Sequence, residues 1–168
     1  MDNIGEWYHI TAPDTYSYLP LDFDFSQNGD IWVAFIRHNN LDGTLVSSGG
    51  IKILNYNNTI LDSSDDEWHE LISPDILPGG ANQDVYSLVF SETEGQEILW
   101  VMTADGIQGY IVNGYNLTPI YPQTFYGNIG ITKGDRLKVD HQNNIWVITK
   151  HSGVRVIRAN TERWPTDD

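Results

Sequence analysis

The chain has 168 residues, 40% of them hydrophobic and 12% aromatic, with a formal charge of −14. Such a composition belongs to a folded protein rather than a disordered one. Nine Lys and Arg are too few to build a phosphate-binding surface, so nucleic acid and anionic membrane are poor partners. The absence of cysteine removes disulfides, thiolate catalysis and Cys-based zinc sites, and no apolar run approaches the ~20 residues of a membrane-spanning helix.

In chain order, Glu6-Trp7-Tyr8-His9-Ile10 reads as an outer strand with no inner strands before it. A first repeat follows. Its opening strand alternates through Leu21, Phe23 and Phe25, a turn runs through Asn28-Gly29, and the second strand Ile31 to Phe35 carries Trp32. Both Asn28-Gly29 and the later Asn143-Asn144 tolerate positive φ and suit two-residue hairpins. The third strand opens at Gly50 (Gly50-Ile51-Lys52-Ile53-Leu54) and a fourth is signalled by Trp68-His69-Glu70-Leu71-Ile72. Insertions separate the second from the third strand (37–48) and the third from the fourth (55–67).

The second repeat has the same parts: Tyr86, Leu88 and Phe90; then Leu99 to Thr103 around Trp100; then Gly106 to Ile111; then Tyr115-Asn116-Leu117. Its first turn, Ser91 to Glu97, reads as longer, acidic and solvated. The third repeat runs Leu137 to Val139, Ile145 to Thr149 around Trp146, Gly153 to Ile157, and Arg163-Trp164. Near-continuous apolar second strands are expected where both faces of a sheet are covered. No segment keeps a 3.6-residue apolar period over three turns.

Internal repetition of this kind means units that bury one another's faces. Four antiparallel strands per unit with Gly and aromatic signatures are the pattern of a β-propeller blade. Trp100 and Trp146 lie 46 residues apart, close to the ~40–45 of common propeller repeats. The expectation is an all-β, β-propeller segment of three four-stranded antiparallel blades plus the extra N-terminal outer strand. The divisions fall at 1–15, 16–73, 74–120 and 121–168. Three blades fall short of the ~4–8 that close a ring, so the segment is read as part of a larger propeller or as one that closes by self-association.

The unit Asp-x-x-Gly/Asn-x-Ile-Trp-Val-x-Thr-x-x-Gly-Val resembles the two-component regulator propeller repeat. Asp140 to Thr149 followed by Gly153-Val154 is the closest copy; Ser26 and Phe35 replace the Asp and Thr in the first repeat, and Ser91 replaces the Asp in the second. Such blades form the extracytoplasmic sensor modules of hybrid sensor kinases and surface propellers associated with type IX secretion. The resemblance implies a bacterial, exported module, periplasmic or at the cell surface, that senses a ligand or serves as a scaffold.

The repeated Trp32, Trp100 and Trp146 could stack on sugars, but their mid-strand position argues for packing between blades. Trp7, Trp68 and Trp164 read as rim packing. Asp22 and Asp24 with Asn28 and Asp30 suggest a calcium loop only superficially, since Ser26 and Gln27 break the D-x-D-x-[DN]-G spacing. Alternation instead puts both on one strand face, lining a wet central channel. No histidine pair has ligand spacing, and neither H-E-x-x-H nor G-x-S-x-G occurs. No catalytic residue, metal or cofactor is therefore assigned.

Propeller loops from second to third strands, and from one unit to the next, share one rim. Here they hold Tyr16, Tyr18, His38, Asp105, Tyr126, Lys133, Lys150 and His151. Aromatics among scattered polar groups suit a carbohydrate or peptide ligand; exposed loop residues with no ligand are the plainer reading of each. The chain is accordingly expected to be a non-catalytic, ligand- or partner-binding module, its partners being further blades or copies of itself. The alternatives are part of a propeller glycosidase or lyase with paired carboxylates, and a purely structural element of a secretion assembly.

Overall fold

The computed structural model describes residues 10, 19–47, 49–71, 84–120 and 130–158. Among them are thirteen strands and a single 3₁₀ turn at Ser63–Asp65. The strands are β1 (Pro20–Phe25), β2 (Ile31–Phe35), β3 (His38–Asn39), β4 (Leu45–Ser47), β5 (Gly50–Asn55) and β6 (Glu67–Leu71). There follow β7 (Val85–Thr93), β8 (Gln96–Thr103), β9 (Gly106–Asn113), β10 (Asn116–Pro119), β11 (Arg136–Val139), β12 (Ile145–Thr149) and β13 (Gly153–Ile157).

Three antiparallel sheets correspond to the three repeats. Sheet 1 runs β1-β2-β5-β6, sheet 2 runs β7 to β10 in order, and sheet 3 runs β11-β12-β13. The first insertion folds as a separate two-stranded hairpin, β3-β4. The strand expected at Glu6 to Ile10 (with Trp7 and His9) and that at Arg163-Trp164 fall outside the described residues, except Ile10.

The registers superimpose on the tryptophans. Trp32 pairs with Asp24, Trp100 with Val89 and Trp146 with Lys138, each across to the sheet's first strand. Side chains alternate across a strand, so each sheet has a front face bearing the indole and a back face bearing Phe23 and Phe25, Leu88 and Phe90, or Leu137 and Val139. The front of sheet 1 packs on the back of sheet 2: Trp32, Ala34, Ile51 and Ile53 form one core with Leu88, Phe90, Leu99, Val101 and Tyr110. The front of sheet 2 packs on the back of sheet 3, with Val89, Trp100, Met102 and Ile107 against Leu137, Ile145, Val147 and Ile157. Sheet 2 is thus covered twice, which is why β7 and β8 read as unbroken apolar runs.

Strand β7 lies against β1 on one side and β11 on the other, so the first strands converge. Trp32 meets the Phe90 ring edge-on at 5.4 Å, a favoured aromatic geometry. Farther out, His69 stacks on Tyr115 at 4.1 Å.

Two expectations, both about turns, need correction. The first turns of sheets 1 and 3 are not two-residue hairpins. They are five-residue loops closed by Ser26 N to Asp30 O (3.0 Å) and Asp140 N to Asn144 O (3.1 Å); in sheet 3 the Asp140 side chain organises the loop, as described below. The supposedly long acidic turn of sheet 2 is instead the tight one. Strands β7 and β8 continue to Thr93 and Gln96, and Glu94-Gly95 turns with φ of 53° and 75°, the positive pair that a type I′ hairpin requires. Asp22 and Asp24 share one face of β1, as alternation requires. Asp22 Oδ2 accepts from the Ser87 hydroxyl, and Asp24 Oδ2 accepts from Phe90 N at 2.8 Å, tying β1 to β7.

The indoles also part company. Trp32 and Trp100 are 1% and 5% exposed, whereas Trp146 is 39% exposed, since among the described residues no sheet covers the front of sheet 3.

Candidate functional site

Antiparallel topology gives the stack two rims. The loop rim carries the connections from second to third strands and the entries to the first strands. The hairpin rim carries the turns from first to second and from third to fourth strands.

The loop rim holds five of the eight residues expected to bind ligand: His38, Asp105, Lys133, Lys150 and His151. Tyr16, Tyr18 and Tyr126 lie outside the described residues. His38 begins the β3-β4 hairpin, opposite Ser47. Lys133, Lys150 and His151 are brought together around Asp135. Its carboxylate accepts from Thr132 N (2.6 Å), Thr132 Oγ1 (3.1 Å) and Lys150 N (2.9 Å), while Gly130 lies against His151, close enough that a Cβ there would sit 3.4 Å from the His151 Cβ. Burial pushes the Asp135 carboxyl up, but the Lys150 and Thr132 donors, helped by His151, outweigh it and hold it below its ordinary value. Asp105 belongs to another group: with Asp84 it raises the Tyr86 hydroxyl, whose main cause is burial. Asp84 in turn accepts from Arg37 N at 2.6 Å and Arg37 Nε at 3.2 Å.

Near this rim, sequence reasoning missed the most connected cation of the described residues. The Arg136 guanidinium donates to Asp135 O (2.7 Å), Lys133 O (2.9 Å), Tyr86 O (3.4 Å) and Leu21 O (3.3 Å). It therefore joins carbonyls on all three sheets where their first strands converge. Nothing in the spacing of a lone Arg signals this.

Two clefts open at the hairpin rim. One, of about 400 Å³, lies between the turns of sheets 1 and 2 and is lined by Gln27, Asn28, Gln96, Glu97, Asn113 and neighbouring glycines. A second, of about 240 Å³, lies toward the converging first strands; Phe25, Phe90, Glu92 and Asn143 line it. Gln27 and Glu97 line both, so the two form one groove. Gln27 N donates to Glu97 Oε1, and Glu92 N donates to Asn143 Oδ1 at 3.2 Å, linking the turns of successive sheets. Burial raises the Glu97 carboxyl, opposed by the Gln27 amide and reinforced by Asp30 and Asp24.

The repeat's Asp-to-Trp spacing also has a structural explanation here. Asp140 accepts from Gln142 N (2.8 Å), Asn144 N (3.0 Å) and the Asn144 amide, and from Trp146 Nε1 at 2.8 Å. The indole donor, then Asn144, hold its carboxyl far below its ordinary value. In sheet 2 Ser91 takes over this role, its hydroxyl accepting from Trp100 Nε1 at 3.1 Å. In sheet 1 the equivalent Ser26 lies by Asp30 O instead, and Trp32 Nε1 has no hydrogen-bond partner. Among the described residues, no three His, Asp or Glu side chains cluster to hold a metal ion.

No family model and no curated protein matches the sequence. A solved structure does share the fold: PorZ, described as an essential bacterial surface component of the type-IX secretion system of Porphyromonas gingivalis. The match has a TM-score of 0.57 at 20% identity and covers 89% of this chain. The chain spans about a fifth (21%) of the PorZ chain's length.

Proposed function

We propose that the chain is a segment of an extracytoplasmic bacterial β-propeller, in the manner of two-component regulator propeller repeats, and that it acts by binding rather than catalysis. The stacked, indole-sealed sheets and the likeness to a surface component support the propeller and its location. The binding reading rests on the hairpin-rim groove, where Gln27, Asn28, Gln96 and Asn113 stand around the Glu97 carboxylate. Side-chain amides both donate and accept, and Ile111 and Val112 add an apolar patch to the same lining. That combination suits a neutral, hydroxyl-rich ligand, an oligosaccharide. The loop-rim patch of Lys133, Lys150 and His151 is the lesser candidate, as it lines neither of these two clefts.

Calorimetry against a panel of neutral oligosaccharides tests this. The paired change Gln27→Ala with Asn113→Ala should weaken binding by at least about tenfold, the loss of two hydrogen bonds at ~1 kcal/mol each, while Lys150→Ala leaves it unchanged. Absence of binding across the panel, or insensitivity to the paired change, overturns the reading.

The groove's carboxylates favour a second reading, a propeller enzyme acting on polysaccharide. Glu92 and Glu97 line the same cleft, and Glu97 is raised as a general acid needs to be. Release of reducing ends from a polysaccharide, abolished by Glu97→Gln and by Glu92→Gln in folded protein, would establish it. Binding without turnover would refute it.

A further inference from the structure

The sequence contains two Asn-Gly pairs, Asn28-Gly29 and Asn113-Gly114, and both asparagines line the same cleft of the hairpin rim. Asparagine is a chemically labile residue, most so before glycine. The main-chain nitrogen of the following residue attacks the Asn Cγ, and glycine, lacking a Cβ, neither crowds that approach nor restricts the backbone rotation it needs. A bond forms between that nitrogen and Cγ, the Cγ–Nδ2 bond breaks, and the side-chain nitrogen leaves as ammonia. Water then opens the five-membered succinimide at either carbonyl, leaving aspartate or isoaspartate in place of asparagine. One water enters and one ammonia leaves, with no oxidant, enzyme or cofactor.

The fold treats the two pairs differently. Both Asn side chains are exposed, and neither side-chain amide is held by a hydrogen bond among the described residues. In the first pair the attacking nitrogen is engaged: Gly29 N donates to Ser26 O at 2.9 Å within its loop. In the second, Gly114 opens a two-residue turn between the paired Asn113 and Asn116, with φ of 58°, the positive angle that the first central position of the common hairpin turns takes. The closing bond of such a turn runs between its outer residues, so the first central N–H points away from the ladder. Gly114 N accordingly has no hydrogen-bond partner among the described residues. A Cβ built on Gly114 would meet nothing within 4 Å, so the space for ring closure is open.

We propose that Asn113 is a site of spontaneous modification through which the groove ages: loss of its amide nitrogen puts a new carboxylate in the cleft that Glu97 lines and weakens the binding of a neutral oligosaccharide. The exchange replaces a group that both donates and accepts with one that only accepts. The isoaspartate product also lengthens the main chain by one methylene at the β9-β10 turn. The effect on a ligand rests on the binding reading above; the reaction itself does not.

Incubation of the folded 168-residue chain at mildly alkaline pH, followed by peptide mapping with mass spectrometry, tests the reaction. Position 113 should lose its amide first, about fivefold faster than position 28, the rate equivalent of one backbone hydrogen bond at ~1 kcal/mol. In urea the preference should vanish, since only the fold creates it. Equal rates in the folded chain, or a rate at Asn113 no greater than at Asn116, which no glycine follows, overturns the assignment. Calorimetry with an oligosaccharide that binds the fresh protein tests the consequence. Affinity should fall about fivefold as the wild type converts, the loss of one hydrogen bond, and Asn113→Asp should show that loss from the outset. Whatever affinity Asn113→Gln has should not change with incubation. Conversion that leaves wild-type affinity intact, or incubation that weakens Asn113→Gln equally, refutes the effect on the groove. If no oligosaccharide binds at all, the binding reading fails and the effect on the groove with it, while amide loss at position 113 is still decided by mass.

Discussion

Trp32 and Trp100 occupy equivalent sites in the two interior contacts but differ in the fate of one atom. Trp100 Nε1 donates to Ser91 Oγ at 3.1 Å, while Trp32 Nε1, in a residue 1% exposed, has no partner. Replacing either with Phe removes the same volume. The cost should be about 2 kcal/mol, below the ~3–5 kcal/mol of truncating a buried aromatic to Ala. At position 32 the change also removes an unsatisfied buried donor, returning ~1–3 kcal/mol. At position 100 it breaks a hydrogen bond worth ~1 kcal/mol and strands the Ser91 hydroxyl. Trp32→Phe should therefore be nearly neutral and Trp100→Phe should cost about 3 kcal/mol. At roughly 2–4 °C per kcal/mol for a chain of this size, the melting points should differ by about 6–12 °C. Urea unfolding followed by far-UV dichroism measures the difference without relying on the indoles. Equal destabilisation at the two sites would refute the reasoning, since it would mean that the Trp32 N–H is satisfied in solution.

The remaining predictions concern the turns, the groove and the converging first strands. The Asp140 carboxyl lies below its unfolded value of about 3.8, so its contribution is complete above that pH and is lost as pH falls through and below it. Asp140→Asn should flatten this acid limb in a pH series of thermal melts and shift the Trp146 emission. Glu97 has the opposite sign. Raised above 4.5 by burial, it contributes most when protonated and loses that contribution as pH rises through its folded value; Glu97→Gln should not lower the melting point at pH 7 and should remove that slope. A Cβ on Gly109 would lie 3.0 Å from Ile120 Cδ1 and 3.1 Å from the Trp100 ring, so Gly109→Ala should cost ~1–3 kcal/mol by overpacking, whereas Gly134→Ala, with nothing within 4 Å, should be neutral. Arg136→Met should cost about 1.5–3 kcal/mol, the value of a charged hydrogen bond, measured by urea titration.

The strand pattern was legible because two signals agreed. Apolar alternation marked the first strands, and a Gly before a β-branched run marked the third; β5, β9 and β13 do begin at Gly50, Gly106 and Gly153. Turn geometry was less legible, because residue type alone suggested two-residue hairpins at Asn28-Gly29 and Asn143-Asn144. What decides the loop at Asn143-Asn144 is a side chain earlier in it, Asp140 bonding forward to Gln142 N and Asn144 N. The expected rim residues sit on the loops propellers most often use. The hairpin-rim groove was not legible, because Gln27 meets Glu92 and Glu97 across about seventy residues, a juxtaposition that depends on how the sheets stack. No local pattern encodes it.

The motif that carries the family resemblance turns out to be a folding device, which limits what it can say about function. Asp140 satisfies its own loop and the indole two strand positions inward, and Ser91 keeps the second half of that arrangement in a hairpin three residues longer. The residues that repeat are thus those that close each turn and orient each indole onto the next sheet. The residues of the groove do not repeat: Gln27 corresponds to Glu92 in sheet 2 and to His141 in sheet 3, three different side chains. Repetition builds the stack, and departure from repetition gives the rim its chemistry. A ligand should therefore be sought where equivalent positions diverge, while the positions that agree, Trp32 and Trp100 among them, hold one sheet against the next.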